Sequence, residues 1–199
     1  MDAVKKKNLN PQTREKILPT VTVPEETTYG PTLLLESSFV IAYLNPDDPN
    51  HKSTRSLLGF IQPHNCKFHI PLLVSVEVIS KLIHKGNTVA SAIKKYNQFV
   101  STLPGGLFLG TPLNLENILG RYRKYTRNQL KDLQGNDFII VTEGMVSGSI
   151  ILTCDYEMYQ KAKKYHDDIY FVATDSVKYG NDVTTFVNKF LDLIGATKK

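Results

Sequence analysis

The sequence predicts an α/β fold, a parallel sheet with helices on both faces. Short aliphatic runs that read as strands alternate with longer amphipathic runs that read as helices. The strand-like runs are apolar throughout, as expected for strands that are buried on both faces. Two of these runs end directly in or beside an acid, at Glu36 and at Asp155. In open α/β sheets, ligands bind at this end of the strands.

Proline, glycine and polar loops divide the first half of the chain into strands and helices. Leu33-Leu34-Leu35 reads as a strand, and Ser37 or Ser38 is placed to cap the helix that follows. Further helices are predicted over residues 50–60, 72–83 and 89–100, and further strands over 67–70 and 107–109.

The second half continues the alternation. Asn136 is expected to cap a helix, and Gly144 and Gly148 are expected to loosen the end of that helix. Asp155 follows a strand and is placed to cap the next helix. The predicted helices cover 114–133, 156–165 and 183–194, and the predicted strands cover 149–153 and 169–173.

Length and composition describe one globular domain preceded by an arm. The chain has 199 residues, of which 41% are hydrophobic and 22% charged, values typical of a globular protein with a real core. Residues 1–30 carry three consecutive lysines, several prolines and few large apolar side chains, so we expect a flexible N-terminal arm there. Residues 31–199 form the predicted single domain.

Charge and cysteine content indicate the kind of binding partner and the cellular location of the protein. The net charge of +5 suits a polyanionic partner. Cys66 and Cys154 form neither a metal-ligand spacing nor a disulfide framework, which favours a reducing, cytoplasmic location. No apolar run is long enough to span a membrane, and the N-terminus lacks the apolar segment of a signal peptide. The terminal amphipathic helix is expected to pack on the sheet or on a second subunit, which leaves a homodimer open.

Acidic residues stand at positions where chemistry is expected. Asp137 lies at a helix start and Asp155 at a strand end, and either acid alone is more often a helix cap. Glu77 is a third acid, within the apolar helix after residue 72, where an unpaired buried charge would be costly. It either faces water at the edge of the apolar stripe or points into a polar cleft.

Basic residues precede Asp137. The predicted helix over 114–133 carries a basic set interleaved with tyrosines, which favours contact with the backbone and bases of a nucleic acid. The alternative is a solvated helix face. The candidate residues for this nucleic-acid contact are Arg121, Arg123, Lys124 and Arg127.

Three segments together carry a family resemblance. They read LLLESSFVIAYLNPDDPNH, VSVEVISKL and GNDFIIVTEGMVSGSIILTCDYE. In this order, over roughly residues 33–175, they resemble the motifs of the PIN-domain nucleases, a family that includes the toxins of many toxin–antitoxin pairs. The resemblance implies a Rossmann-like parallel sheet and endonucleolytic cleavage of RNA with Mg²⁺ or Mn²⁺. It also allows an antitoxin as a protein partner.

The resemblance also implies a set of site residues. The metal-binding and catalytic acids would be Glu36, Glu77, Asp137 and Asp155, supported by Ser38, Asn136, Thr153 and Glu157. Four clustered carboxylates need a cation, because two carboxylates about 4 Å apart repel by roughly 4 kcal/mol at an effective dielectric near 20. Carboxylate oxygens favour Mg²⁺ or Mn²⁺ over Zn²⁺.

Glu36 departs from the family pattern, which has aspartate at this place. The additional methylene moves the carboxylate outward, whereas Mg²⁺ requires near-ideal octahedral geometry. Two alternatives to an active ribonuclease therefore stay open. One is a weakened or inactive RNA-binding scaffold on the same fold. The other is a receiver-like phosphoryl-transfer domain. The sequence argues against it, because the early acidic pair and the later strand-end lysine of such a domain are missing.

Overall fold

A computed structural model describes residues 30–103, 107–109, 132–133, 135–174 and 182–196. The strands are β1 Thr32–Leu35, β2 Lys67–Ile70, β3 Leu107–Leu109, β4 Ile150–Thr153 and β5 Ile169–Phe171. The helices are α1 Ser37–Leu44, α2 His51–Ile61, α3 Leu72–His84, α4 Val89–Ser101, α5 Gly135–Ser147, α6 Tyr156–Ala162 and α7 Val183–Leu193.

The five strands form one parallel sheet in the order β3-β2-β1-β4-β5. The chain builds the sheet outward from β1 to β3 and then returns to the other side of β1 to add β4 and β5. The direction of winding therefore reverses between β1 and β4. In doubly wound sheets, this reversal opens a crevice outside the carboxyl ends of the two central strands.

Helices cover both faces of the sheet. Right-handed crossovers place the connections before and after the reversal on opposite faces. One face of the sheet packs against α5. Leu34 and Ile151, which are partners in the β1–β4 register, lie on this face below Gly144. His69 on β2 reaches the same helix through Glu143. The Rossmann-like α/β fold predicted from the sequence is confirmed.

Gly144 has a packing role that corrects its expected one. It lies inside α5 and is buried. A Cβ at this position would stand 2.5 Å from Cδ1 and 2.7 Å from Cγ1 of Ile151. Glycine is therefore the residue that lets α5 approach the sheet closely. Gly148, with φ of 61°, ends the helix in the left-handed conformation that glycine adopts readily.

Two expected helix caps are also corrected. The cap of α1 is Glu36, whose side chain accepts from the Ser38 amide, and Ser37 is already helical. The helix α5 begins at Gly135, so Asn136 lies in its first turn instead of capping it. The expected cap at Asp155 is confirmed, because its side chain accepts from the Met158 amide.

The core lies on both sides of the central strands. The three leucines of β1 and Ile151 and Leu152 of β4 are fully buried, as expected for strands with both faces covered. None of the helices within the described ranges is long and apolar enough to cross a membrane. Residues 1–29, which make up almost all of the predicted N-terminal arm, and nearly all of the predicted helix over 114–133 lie outside the described residues.

Candidate active site

Two acidic turns flank the reversal point of the sheet. Glu36 follows β1 directly, and Asp155 follows β4 by one residue. The strands are in register at Leu35 and Leu152, and the Glu36 amide donates to the Leu152 carbonyl at 3.0 Å. The sheet thereby fixes both turns side by side at the mouth of the crevice.

The Glu36 carboxylate is buried in a shell of donors. Its Oε2 accepts from the Ser38 amide at 2.9 Å, from the Ser38 hydroxyl, and from the Thr153 hydroxyl at 2.9 Å. Its Oε1 accepts from the Ser37 hydroxyl. The residue is 4% exposed. Burial raises the pKa of this carboxyl, and the bonds from Ser37, Ser38 and Thr153 oppose that rise.

The Ser38 and Thr153 hydroxyls also bind the backbone of the turn after β4. The Cys154 amide donates to Ser38 Oγ at 2.8 Å, and the Asp155 amide donates to Thr153 Oγ1 at 3.0 Å. Each hydroxyl thus accepts from the backbone while it donates to Glu36. The Ser38 and Thr153 side chains, predicted as supporting residues, therefore join Glu36 to the backbone of Cys154 and Asp155.

Asp155 itself is exposed at the start of α6. Its Oδ1 accepts from the Met158 amide at 2.9 Å, which satisfies one of the free amides of the first helical turn. This contact is the structural role that the sequence allows for an acid after a strand. It also orients the carboxyl group at the rim of the crevice.

Asp137 lies in the first turn of α5 and is half-buried. Burial is the main cause that raises the pKa of its carboxyl, and the negative charges of Asp155 and Glu77 raise it further. Lys161 lowers this pKa and Glu157 raises it. Side chains from α3, α5 and the β4–α6 region therefore share one electrostatic environment.

Glu77 is half-buried on α3 and faces α5. Its Oε1 accepts a hydrogen bond from the side-chain amide of Asn136. The contact ties α3 to the first turn of α5, beside Asp137. Glu77 therefore has a polar partner on another element, at an exposed position.

Lys161 belongs to this region although no sequence motif indicated it. It lies on α6, and its Nζ donates to Glu157 Oε1 at 2.5 Å across one helical turn. The available signal was the spacing of four residues between a glutamate and a lysine, which predicts such a pair on a helix. Its position beside Asp137 depends on how α5 and α6 pack, which the spacing does not reveal.

The donor chemistry suits a hard divalent cation. The side chains around Asp137 supply carboxylate oxygens, which Mg²⁺ and Mn²⁺ prefer. Burial raises the pKa of Asp137 most, and the repulsion from Asp155 and Glu77 that raises it further is the kind that a cation relieves. Among the described residues, no three His, Cys, Asp or Glu side chains form a group arranged to hold a metal ion. Binding would therefore require these carboxylates to turn toward one another.

Glu77 is hydrogen-bonded to Asn136, and the charges of Glu77, Asp155 and Glu157 all affect Asp137, so these four acids are called the acidic rim of the crevice. Glu36 lies beneath, bonded to Ser38 and Thr153. The predicted RNA-binding residues Arg121, Arg123, Lys124 and Arg127 lie outside the described part of the chain.

Several known structures are similar to this chain. One is the toxin VapC20 of Mycobacterium tuberculosis, described as cleaving the sarcin–ricin loop, with 16% identity and a TM-score of 0.45 over 61% of this chain and 87% of that chain. A second is VapBC2 of Rickettsia felis bound to a DNA fragment from its promoter, with 17% identity and a TM-score of 0.47 over 67% of this chain and 94% of that chain.

A third similar structure is a domain of a functionally unknown protein of Methanocaldococcus jannaschii, with 16% identity and a TM-score of 0.47 over 73% of this chain and 93% of that chain. No protein-family model and no curated protein matches the sequence. At these identities an activity does not transfer from one protein to another, so the function has to be inferred from the residues of this chain.

Proposed function

We propose that this protein is a metal-dependent endoribonuclease that hydrolyses phosphodiester bonds of RNA at the crevice between β1 and β4. The observation that carries the proposal is the half-buried position of Asp137 within reach of two acids from other elements, Asp155 and Glu77, whose charges add to the effect of burial in raising the pKa of Asp137. A helix cap or a solvated acid has no need of such neighbours, since like charges held together reduce stability. The order of the acids along the sequence, which resembles that of the PIN-domain nucleases, supports the same function.

Asp137, Asp155 and Glu77 would hold Mg²⁺ or Mn²⁺, with Asn136 keeping Glu77 beside α5. When bound, the ion activates water for attack on phosphorus and stabilises the charge that develops on the phosphate. Asp137 contributes most to the site, because its carboxylate is half-buried and close to both other acids. Asp155 contributes a carboxylate whose backbone is fixed through Thr153.

Glu36 is the fourth acid that the sequence resemblance assigns to the metal. Both of its carboxylate oxygens accept hydrogen bonds from neighbouring hydroxyl or amide groups. Coordination of an ion by Glu36 would have to replace or share these bonds. We propose that Glu36 supports the site through Ser38 and Thr153 in this state, and that metal binding by Glu36 requires rotation of its side chain.

The second candidate function is an RNA-binding or scaffold protein of weakened or absent nuclease activity. The observation that favours it is the enclosure of Glu36 at a place where the resembling family has an aspartate. In that case the acids would be retained around Asp137 without turnover. The two functions share RNA as a partner and differ in cleavage.

The resemblance further supports a role as the toxin of a toxin–antitoxin pair in the cytoplasm. A protein inhibitor would then be a partner, and a homodimer is a compatible assembly. These assignments extend the ribonuclease proposal and depend on it.

Cleavage of labelled single-stranded and structured RNA tests the proposal directly. The full chain should cleave RNA in Mg²⁺ or Mn²⁺ and should not cleave it in EDTA. Asp155→Asn is the matched variant, since asparagine also caps helices and preserves the fold. Cleavage that persists in EDTA, or equally in Asp155→Asn, would contradict the metal-dependent mechanism. Binding of RNA without cleavage under any metal would favour the scaffold function.

A further inference from the structure

A basic groove runs along α6 next to the acidic rim of the crevice. It encloses about 570 Å³ and is open to solvent. Lys161, Lys163 and Lys164 line it, together with Glu157. Because Asp155 caps α6, the groove begins beside the candidate active site.

The three lysines are engaged differently. Lys163 is committed to the fold, since its Nζ donates to the carbonyls of Asp167 at 2.8 Å and Ile169 at 3.1 Å and lies 5.0 Å from the ring centroid of Tyr170. Lys161 and Lys164 are instead held by carboxylates that are themselves at least one-third exposed. Exposed ion pairs of this kind contribute little stability and exchange partners readily.

Lys161 and Lys164 are neighbours on one face of α6 and the turn that follows it. Residues three apart on a helix have Cβ atoms about 5–6 Å apart, a separation comparable with that of successive phosphates along a nucleic-acid strand. Glu157 completes the row, four residues before Lys161. Lys161 also faces the acids, because its charge affects the pKa of Asp137.

We propose that Lys161 and Lys164 bind successive phosphates of the RNA strand, with Glu157 holding Lys161 until the phosphate replaces it. This inference rests on the proposed function and names the side of the site along which its substrate lies. A phosphate on Lys161 brings the strand beside Asp137 and Asp155. Without such a cation, the acidic rim would repel the backbone that it is proposed to cleave.

The test measures binding, so that its failure is distinguishable from the failure of nuclease activity. Fluorescence anisotropy of a labelled single-stranded RNA is recorded in EDTA with the full chain across a salt titration. Lys161→Gln combined with Lys164→Gln should weaken binding. It should also reduce the slope of log K against log salt by about 1.4, at about 0.7 for each phosphate that is no longer neutralised. Lys94→Gln combined with Lys95→Gln, which removes two exposed lysines of α4, is the charge-matched control and should bind nearly as the parent does.

Glu157→Gln is expected to change the affinity for RNA in the opposite direction, an increase that misfolding would not produce. Freed from Glu157, Lys161 should bind phosphate more readily, so that affinity for RNA rises. Asp47→Asn, which removes an exposed negative charge from the loop between α1 and α2, is the control for overall charge. An unchanged salt slope in the double lysine variant, or no gain in Glu157→Gln beyond that of Asp47→Asn, would overturn the proposal.

A third measurement distinguishes RNA from an acidic protein as the ligand of the groove. Polyglutamate of equal charge is titrated in place of RNA. Tighter binding of RNA, with weaker binding in the double lysine variant, is the expected result. Polyglutamate binding as tightly as RNA and equally dependent on Lys161 and Lys164, or a parent chain that binds no RNA, would also overturn the proposal.

Discussion

Thr153 Oγ1 donates a 2.9 Å hydrogen bond to Glu36 Oε2 and so joins the ends of two neighbouring parallel strands. The same oxygen accepts from the amide of Asp155. One buried hydroxyl therefore connects the acid after β1 with the acid after β4. The candidate site depends on this connection, because the sheet brings the two turns together but does not orient their side chains.

Thr153→Val should destabilise the protein. Valine keeps the shape of the buried side chain but leaves Glu36 without one donor and the Asp155 amide without its acceptor. The expected decrease is about 1–3 kcal/mol of unfolding free energy, measured by denaturant unfolding. Thr54→Val is the matched control, since Thr54 is equally buried but its hydroxyl donates only to carbonyls of its own helical segment. Equal decreases in the two variants would contradict a special role for the Thr153 hydroxyl.

Asp137→Asn should abolish RNA cleavage and raise thermal stability at neutral pH. Burial and the neighbouring acids raise the pKa of Asp137 above its ordinary value of 3.8, so the charged form is disfavoured in the folded protein. Its ionisation therefore opposes folding at neutral pH, and this cost disappears as the pH falls through the raised pKa.

The measurement is the difference in melting temperature between Asp137→Asn and the parent from pH 7 down to pH 3. The difference should be positive at pH 7 and shrink toward the acidic end. Asp47→Asn, in an exposed loop, should show no such trend. A melting temperature that falls at pH 7 would indicate that the Asp137 charge supports the fold, and retained cleavage would remove it from the site.

Gly144→Ala should destabilise the protein through overpacking. The new Cβ would press on Cγ1 and Cδ1 of buried Ile151, so α5 or β4 has to shift. Overpacking of a core costs about 1–3 kcal/mol. Gly59→Ala is the control at an exposed position of α2, where a Cβ meets nothing within 4 Å and alanine should stabilise the helix by up to about 1 kcal/mol. The measurement is thermal or denaturant unfolding of both variants. An unchanged stability of Gly144→Ala would contradict the prediction, because it would show that α5 and Ile151 move apart at little cost.

Charge reversal at Arg123, Lys124 and Arg127 should weaken RNA binding, as predicted from the sequence alone. If each residue neutralises one phosphate of a single strand, the slope of log K against log salt should fall by about 0.7 per phosphate. The comparison is with Lys94→Glu on α4. An unchanged slope would show that the three residues do not contact phosphates and would favour the solvated helix face instead.

Much of the architecture was readable from local sequence. The strands β2 and β3 and the starts of α3, α4, α6 and α7 were predicted at the observed residues, and the other element ends differ from the prediction by at most a few residues. The reason is physical. Burial on two faces produces continuous aliphatic runs, and burial on one helix face produces a repeat near 3.6, both within a single segment. The cap at Asp155 was readable for the same reason, since a cap acts over three residues.

Contacts between distant segments were not readable in this way. The sequence places Glu36 at a strand end but does not show that it caps α1 and is bonded to Thr153 from another strand. Gly144 was expected to loosen a helix, and it permits close contact between α5 and Ile151. Lys161 carried no signal beyond a pair with Glu157.

The sequence by itself determined the type and order of the elements and which acids stand at their ends, because those properties follow from burial and capping within each segment. Only the tertiary structure decided that winding reverses between β1 and β4, that Glu77 and Asp155 lie beside Asp137, and that Glu36 is enclosed by hydroxyls. These relationships depend on strand pairing and helix packing across long separations, where the energy of a contact belongs to neither segment alone.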